Sequence, residues 1–513
     1  MRSTFHGIET AKRSLFANQA TINTIGHNIS NANTPGYSRQ RVNLVASRPI
    51  EAPGFMRSNI PGQLGTGVEF TSITRIREQY LDDQFRNANT TYGNWSIQSA
   101  TLGKLETIFN EPSDSGIRTV MDNFWKSWTD LSKDPENITG RKIVRENALA
   151  LVDAFNTTSK NLEDMDKDLT SNIEMKVSEV NSIAGSIASL NYEIKRLEDH
   201  GDNPNDLRDQ RDYLVDQLSH IANTTVTQTA NGYDISIGTL NIVTGPNAIP
   251  AATAQIEAQF TAGRLNGGEL AGMILSRDKY VADYKEQVDA LASTLVNGQI
   301  TVTLPEGSMY NGAKLAADQQ VTVNGINGLH KLGFLFTNPP QQAGDIFVPA
   351  SFKVNGVIVP VTAGNISLSE AITDDPMMIA TSMRTEIVNG VNETIKGNNT
   401  LANLMADLKN TSFTFAATTS GNGISSGTID SYYQSVIGQL GVQAQEAERQ
   451  HKNQYDIVNQ VESSRQSVMG VSLDEEMSEL IKFQHAYSAA ARFMTSIDET
   501  LDKVINGMGI VGR

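Results

Sequence analysis

The apolar positions near the start of the chain recur at helical steps. Phe5, Ile8, Ala11, Leu15, Ile22, Ile25 and Ile29 are spaced by threes and fours, with Asn18 where the series would take another apolar residue. The pattern predicts a helix over residues 5–32, ended by GHNISNANTPGYSRQR (26–41). Pro35 biases Thr34 out of the helical region, Gly36 can take a turn conformation that a side chain resists, and Asn31 and Asn33 can satisfy local backbone groups. Residues 37–75 read as extended, and 76–222 as helical in pieces. One piece covers about 76–110. EPSDSG follows it, with Ser113 or Asp114 as the N-cap of a helix carrying Trp125 and Trp128. Further pieces cover about 139–199 and 207–221.

The period then changes. Residues 223–265 are Thr-rich and β-branched, with Asn231-Gly232 as a hairpin signal. Residues 268–298 return to helix. Residues 299–395 look β-like, with turn pairs Asn324-Gly325, Asn327-Gly328 and Asn355-Gly356, and SGNGISSG (420–427) is a flexible joint. From Ile429 the pattern is helical almost to the end, with a weak point at Gly470. In its last part Met477, Leu480, Gln484, Tyr487, Ala491, Met494, Ile497, Leu501 and Val504 alternate steps of three and four, a near-heptad seam. The expected fold class is mainly α with inserted β. It is an elongated multidomain hairpin in which the N- and C-terminal helices pair as a coiled coil and a mid-chain β-rich domain lies at the far end.

A single pair of amphipathic helices leaves half of each seam wet. The terminal segments are therefore expected to be marginal alone and ordered when neighbours cover them. An ordinary bundle closed by the residue 76–222 helices explains the same period.

Composition narrows the function. Net charge is −16, and no basic stripe is available to displace counterions from nucleic acid. The ends differ in sign: residues 1–60 hold seven Lys/Arg against Glu9 and Glu51, and residues 471–513 hold seven Asp/Glu against four Lys/Arg. The ends are thus complementary, although solvated faces would read the same. The chain has 0 cysteines, which excludes a disulfide framework, thiolate-ligated zinc and thiol catalysis. The first residues form no apolar signal core, and no apolar run is long enough to span a membrane.

Candidate chemistry is sparse. Gly423-Ile424-Ser425-Ser426-Gly427 matches G-x-S-x-G, with His451 and His485 downstream, but it sits in low-complexity Ser/Gly/Asn sequence without a buried strand before it. Asp164, Asp166 and Asp168 imitate a calcium loop, yet Leu169 and Met175 stand where Gly and Glu are needed, so an acidic helical face is expected. The histidines show no ligand spacing. No catalytic, cofactor or metal residue is assigned.

The two ends carry a resemblance. SNANTPGYSRQ (30–40) resembles the N-terminal signature of the bacterial flagellar axial proteins (rod, hook and hook-associated), Asn-x-x-Asn-x-x-Thr-x-Gly-Tyr/Phe, matched by Asn28, Asn31, Thr34, Gly36 and Tyr37 around Pro35. SELIKFQHAYSAAARFMTSIDETLDKVI (478–505) resembles the family's C-terminal signature. FHGIETAKRSLFANQATINTIGHNI (5–29), GVSLDEEM (470–477), SDSGIRTVMDNFWKSWTDLSKDPEN (113–137) and NDLRDQRDYLVDQLSHI (205–221) narrow it to the hook–filament junction branch. The similarity covers about 1–60, 100–221, 262–298 and 468–513; residues 301–395 match nothing recognised.

The resemblance implies a non-enzymatic structural adaptor joining hook to filament. Such proteins are exported unfolded, without a cleaved signal, to the flagellum outside the cell. The implied partners are copies of the chain, the hook protein, the second junction protein, and an export chaperone at the C-terminal segment, with no nucleic acid, membrane or cofactor. The expected assembly seam is Leu15, Ile22, Ile25 and Ile29 with Leu480, Tyr487, Ile497, Leu501 and Val504. The expected domains are 1–60 with 468–513 as axial segments, 61–222 with 266–298 and 400–467 as a helical bundle, and 223–265 with 299–399 as the β-rich outer part. Two rival readings stay open: another axial component, such as the second junction protein or hook protein, and an axis-borne hydrolase using Ser425 or residues 301–395.

Overall fold

The computed structural model describes residues 5–49, 65–113, 116–350, 353–354, 357–388, 390–415 and 424–507. Helices dominate the described chain. They are α1 His6–Ser30, α2 Gln79–Phe109, α3 Ile117–Lys133, α4 Ile138–Glu198, α5 Asn205–Ile221, α6 Thr253–Thr261, α7 Gly268–Leu275, α8 Ala282–Asn297, α9 Gly325–His330, α10 Glu370–Asp374, α11 Thr400–Asp407, α12 Ile429–Met469 and α13 Leu473–Asp502. The π-helical turn Ser276–Val281 joins α7 to α8. The chain divides into two compact units: Met1–Gly93 with Met175–Ala271 and Asn453–Arg513, and Asn94–Glu174 with Gly272–Lys452. Parts of α2, α4 and α12 belong to each.

In the first unit, strands β1 (Gln40–Ala46) and β2 (Val68–Arg75) pair antiparallel from Gln40↔Arg75 to Ala46↔Val68, with an irregularity between Asn43 and Leu44. This ribbon packs on α1. A four-stranded antiparallel sheet follows α5, in the order β3 (Thr224–Thr229), β4 (Gly232–Ile237), β5 (Leu240–Thr244), β6 (Asn247–Ala248). Its buried residues include Ile235, Ile237, Ile242 and Val243. Asn191 of α4 anchors it: Nδ2 donates to the carbonyls of Tyr233 (2.9 Å) and Gly245 (2.7 Å), and Oδ1 accepts from Tyr233 N (3.0 Å). The β3–β4 hairpin exists, but its two loop residues are Ala230 and Asn231. Gly232 pairs with Thr229 at φ +109°, where a Cβ would lie 2.6 Å from the Asn191 side chain. That close approach is why glycine stands there.

Two expectations are corrected here. Residues 253–261, read as part of a β stretch, form α6, which buries Ile256 and ties Gln255 Oε1 to Ala252 N (3.0 Å). The β-rich residues 223–265 and 299–399 do not make one domain. The first set belongs to the first unit, held by Asn191, and the second set to the other unit.

In the second unit, α3 buries Phe124, Trp125 and Trp128 as a packed face. The Phe124 ring lies 5.1 Å from Trp125, 6.4 Å from Trp128 and 6.0 Å from Phe347. The residue at the N-cap of α3 is Gly116 rather than Ser113, and Asp114 lies outside the described residues. The Glu111 carboxylate accepts Arg118 N at 3.1 Å. Residues 299–399 hold short ribbons: Gln299–Leu304 with Gln319–Asn324, Phe347–Pro349 with Ile366–Leu368, and Thr385–Val388 with Val391–Thr394. Asn327-Gly328 is helical, inside α9, because the buried Asn327 side chain works as a strand partner. It donates to Phe347 O (2.6 Å) and accepts from Ile346 N (2.9 Å) and Phe347 N (3.0 Å). Asn355-Gly356 lies outside the described residues.

Candidate functional site

The chain ends meet in the first unit. α1 and α13 form the most extensive helix pair, and it is antiparallel. Asn28 Nδ2 donates to Glu476 Oε2 at 3.0 Å near one end, and Ile497 Cδ1 occupies the place of a Gly7 side chain at the other. The buried stripe of α1 is small and polar: Ala11, Ala17, Asn18, Thr21, Thr24, Ile25 and Asn28. Thr21 and Thr24 turn their hydroxyls to Ala17 O (2.9 Å) and Ala20 O (3.0 Å), so neither needs a partner across the pair. Small side chains let α13 and the ribbon approach closely.

The seam residues read from sequence stand mostly on the flanks of this contact. Ile25 is buried, whereas Leu15, Ile22, Ile29, Leu480, Tyr487, Ile497 and Leu501 are half-buried. Val504 follows α13 in the π-helical turn Lys503–Gly507 and is 50% exposed. Glu476 and Ala490 are the buried residues of α13. Large apolar side chains face outward instead: Phe5, Phe16, Leu473, Met477, Ile481 and Phe493. One stripe of each helix is covered within the chain, and large apolar side chains outside that stripe are not; on α13 they lie on two flanks, Met477 and Ile481 on one and Phe493 on the other.

The NTPGY turn locks this pair to the body. Asn28 is 1% exposed and makes four hydrogen bonds, all its amide can make. Besides Glu476 it donates to Gln40 O (2.9 Å), and its Oδ1 accepts from Tyr37 Oη (2.7 Å) and Gln40 N (3.0 Å). Burial, then Asp206, Asp209 and Glu476, push the Tyr37 hydroxyl's pKa up, so it stays a donor. Asn31 Oδ1 accepts from Thr34 Oγ1 (3.2 Å), and Tyr37 N donates to Thr34 O (3.2 Å), closing the turn. Gly36 has φ +79°, and a Cβ there would lie 2.7 Å from Tyr213 Cβ of α5. Pro35 borders the same groove beside Tyr213. Arg39 then reaches the acidic start of α13, with Nε 2.6 Å from Glu476 Oε1 and Nη1 3.1 Å from Glu475 Oε2. Arg39 N donates to Met469 O at the end of α12 (2.9 Å).

Beneath the turn lies a buried charge network that sequence reading missed. Asp206, Asp209, Asp212 and Asp216 share one face of α5. Ser38 donates its N and Oγ to Asp209 (2.9 and 2.6 Å), and Gln40 Nε2 donates to Asp206 (2.6 Å). Arg75 bridges Asp209 and Asp212 (2.8 and 2.7 Å), Arg77 pairs with Asp82 (2.6 Å), Arg86 with Asp216 (2.7 Å), and Arg465 of α12 with Asp216 (2.5 Å). Burial pushes the Asp212 carboxyl up, but Arg77, Arg75 and Arg86 outweigh it and hold it below the usual carboxylate range. The step of three and four among the aspartates was the one signal in the sequence; their partners come from residues far away along the chain.

The other motifs stay bland. Asp164, Asp166 and Asp168 lie on α4, where Lys167 pairs with Glu163 at 2.9 Å. The carbonyl of Ser425 accepts Phe415 N at 3.0 Å, and Gly423 lies outside the described residues.

Comparison with known proteins agrees with this geometry. Residues 102–299 match the flagellar hook-associated protein FlgK helical domain, residues 462–507 the flagellar basal body rod FlgEFG protein C-terminal model, and residues 8–37 the flagella basal body rod protein model. The chain is 33% identical to flagellar hook-associated protein 1 of Bacillus subtilis over 100% of both chains, and 26% identical to that of Escherichia coli over 97% of this chain and 99% of that one. Its fold is similar to the flagellar hook junction protein FlgK from Burkholderia pseudomallei, with a TM-score of 0.52 at 14% identity, covering 75% of this chain and 100% of that one.

Proposed function

The chain belongs to the flagellar hook-associated protein 1 family, a structural component of the flagellum at the hook–filament junction, and from that premise we propose that it joins hook to filament through its terminal helix pair. One observation carries the reading: α1 and α13 cover one stripe of each other and leave large apolar side chains outside it facing outward, Phe16 on α1, Met477 and Ile481 on one flank of α13 and Phe493 on the other. Copies of the chain set side by side would bury what remains open of these half-covered side chains, each returning about 0.8–1.5 kcal/mol, half the value for a fully exposed one. The half-buried Leu15, Ile22, Ile29, Leu480, Tyr487, Ile497 and Leu501 border the same surface.

In this reading the partners are further copies, the hook protein on one side and the second junction protein on the other, and the work is mechanical rather than catalytic. The chain reaches its place outside the cell by export in an unfolded state, its C-terminal segment held by a chaperone on the way. Within the α1–α13 pair the covered stripe is small and polar, so that contact gives up little apolar burial when it opens.

Removing residues 471–513 tests the proposal. The truncated chain is expected to keep its second unit folded, to be absent from immunogold-labelled hook–filament junctions, and to leave cells without filaments. Filament growth on the truncated protein would overturn it.

A further inference from the structure

The apolar spacing of the terminal pair does not by itself specify one alignment. On α1, Ala11, Asn18 and Ile25 recur every seven residues, and so do Leu15, Ile22 and Ile29; on α13, Leu480, Tyr487, Met494 and Leu501 do the same. Sliding one helix past the other by a heptad sets each of these series back onto itself, so flank packing scarcely distinguishes the slipped pair from the native one. Yet the native alignment is definite. Asn28 opposes Glu476 and Gly7 opposes Ile497, the same three heptads apart on each helix. Something that does not repeat has to select it.

The buried polar pair is such a feature. We infer that Asn28 and Glu476, with Arg39, form the register key of the terminal helix pair. Glu476 is 1% exposed and takes two donors, Asn28 Nδ2 at 3.0 Å and Arg39 Nε at 2.6 Å. Three of the four bonds of Asn28 go to Tyr37 and Gln40, and Glu476 takes the fourth. Shifting α13 one heptad toward the start of α1 would set Glu476 against Thr21, whose hydroxyl already donates to Ala17 O. Shifting it the other way would set Asn28 against Phe483. The first slip takes Glu476 from both its donors, and the second leaves one buried Asn28 N–H without an acceptor; a buried polar group left unpaired costs more than its hydrogen bond gains when made. A lone buried polar contact that fixes the alignment of otherwise repetitive helices is a known use of such groups. The turn motif therefore has a second task beyond ending α1: through Tyr37, Arg39 and Gln40 it presents Asn28 and a guanidinium to one residue of α13. The inference concerns contacts within one chain and holds whichever molecules cover the pair from outside.

The absence of cysteine makes the alignment measurable. In the full chain, Gly7→Cys with Ile497→Cys reports the native alignment, and Gly7→Cys with Ala490→Cys or Val504→Cys reports the two slipped ones. With Asn28 and Glu476 intact, mild oxidation should link the native pair alone. In the Asn28→Leu, Glu476→Leu background the ratio of native to slipped product should fall at least about tenfold, the change expected for about 1.4 kcal/mol, with helix content by circular dichroism retained. With Asn28 kept, Glu476→Gln retains one acceptor oxygen but turns an amide NH2 toward the other donor, so it should keep only part of the native excess. Leu15→Ala with Tyr487→Ala, which weakens only the flanks, should lower the yield without producing slipped links.

Exclusively native links in the double-leucine background would overturn the inference, assigning register to the Gly470–Ser472 connection instead. Slipped links in the Leu15→Ala, Tyr487→Ala chain would overturn it as well, and so would failure of the native pair to link with both key residues present. These outcomes are independent of incorporation at the junction.

Discussion

At the scale of single residues, the turn motif and one buried histidine give the sharpest expectations. Gly36 holds a positive φ and backs onto Tyr213, so Gly36→Ala meets both backbone strain and a clash and should cost about 2 kcal/mol in urea unfolding. Tyr37→Phe loses one buried hydrogen bond and leaves Asn28 one partner short, for about 1–2 kcal/mol. In the second unit, His330 is fully buried. Its Nδ1–H donates to Gly344 O (2.7 Å), and its Nε2 accepts Ala380 N–H (2.9 Å), which fixes the neutral tautomer. Burial holds its pKa down at about 4. An unfolded chain protonates a histidine near 6.5, so the unfolded state takes up the proton first and stability falls as pH drops through that window. The loss attributable to His330 between pH 7 and pH 5 should be about 2 kcal/mol. His330→Gln should remove that part of the slope. Trp95, Trp125 and Trp128 all lie in the second unit, so tryptophan fluorescence follows it selectively.

At the scale of elements, periodicity was legible and partnership was not. The predicted pieces at 5–32, 139–199 and 207–221 became α1, α4 and α5 within a few residues, and the weak point at Gly470 separates α12 from α13. Long repeats of apolar spacing survive any context, which is why these segments could be read. The Asn-Gly turn pairs were less reliable, because Asn327 spends its amide on Phe347 rather than on a local turn. Within the terminal pair, apolar spacing pointed to Leu15, Ile22 and Ile29, but the covered stripe is small and polar. Spacing shows that a helix has a sticky side; it does not show which neighbour takes it. The arginine–aspartate network was invisible for the same reason, since Arg75, Arg77, Arg86 and Arg465 meet α5 only in the fold. Arg465→Met leaves Asp216 short of its closest cation and should destabilise the first unit by about 2–3 kcal/mol by thermal unfolding, with much of the effect buffered by Arg86 and Arg77.

At the scale of the molecule, both terminal helices lie in one unit together with the turn motif and α5, while residues 301–395, which match no recognised signature, lie in the other. The ends carry the family's signatures, alongside interior stretches within 100–221 and 262–298, and they are where the outward-facing large apolar side chains Phe16, Met477, Ile481 and Phe493 are found. Apolar side chains left open inside one chain gain from burial when neighbouring molecules cover them. The most direct measurement is therefore the incorporation of Phe16→Asp and Ile481→Asp chains at hook–filament junctions, scored by immunogold labelling and filament counts beside the unfolding curve of each purified protein. Both side chains are more than half exposed, so unfolding should be unchanged within about 0.5 kcal/mol while labelling and filaments are lost. Normal labelling and normal filaments with both variants would contradict assembly through this face.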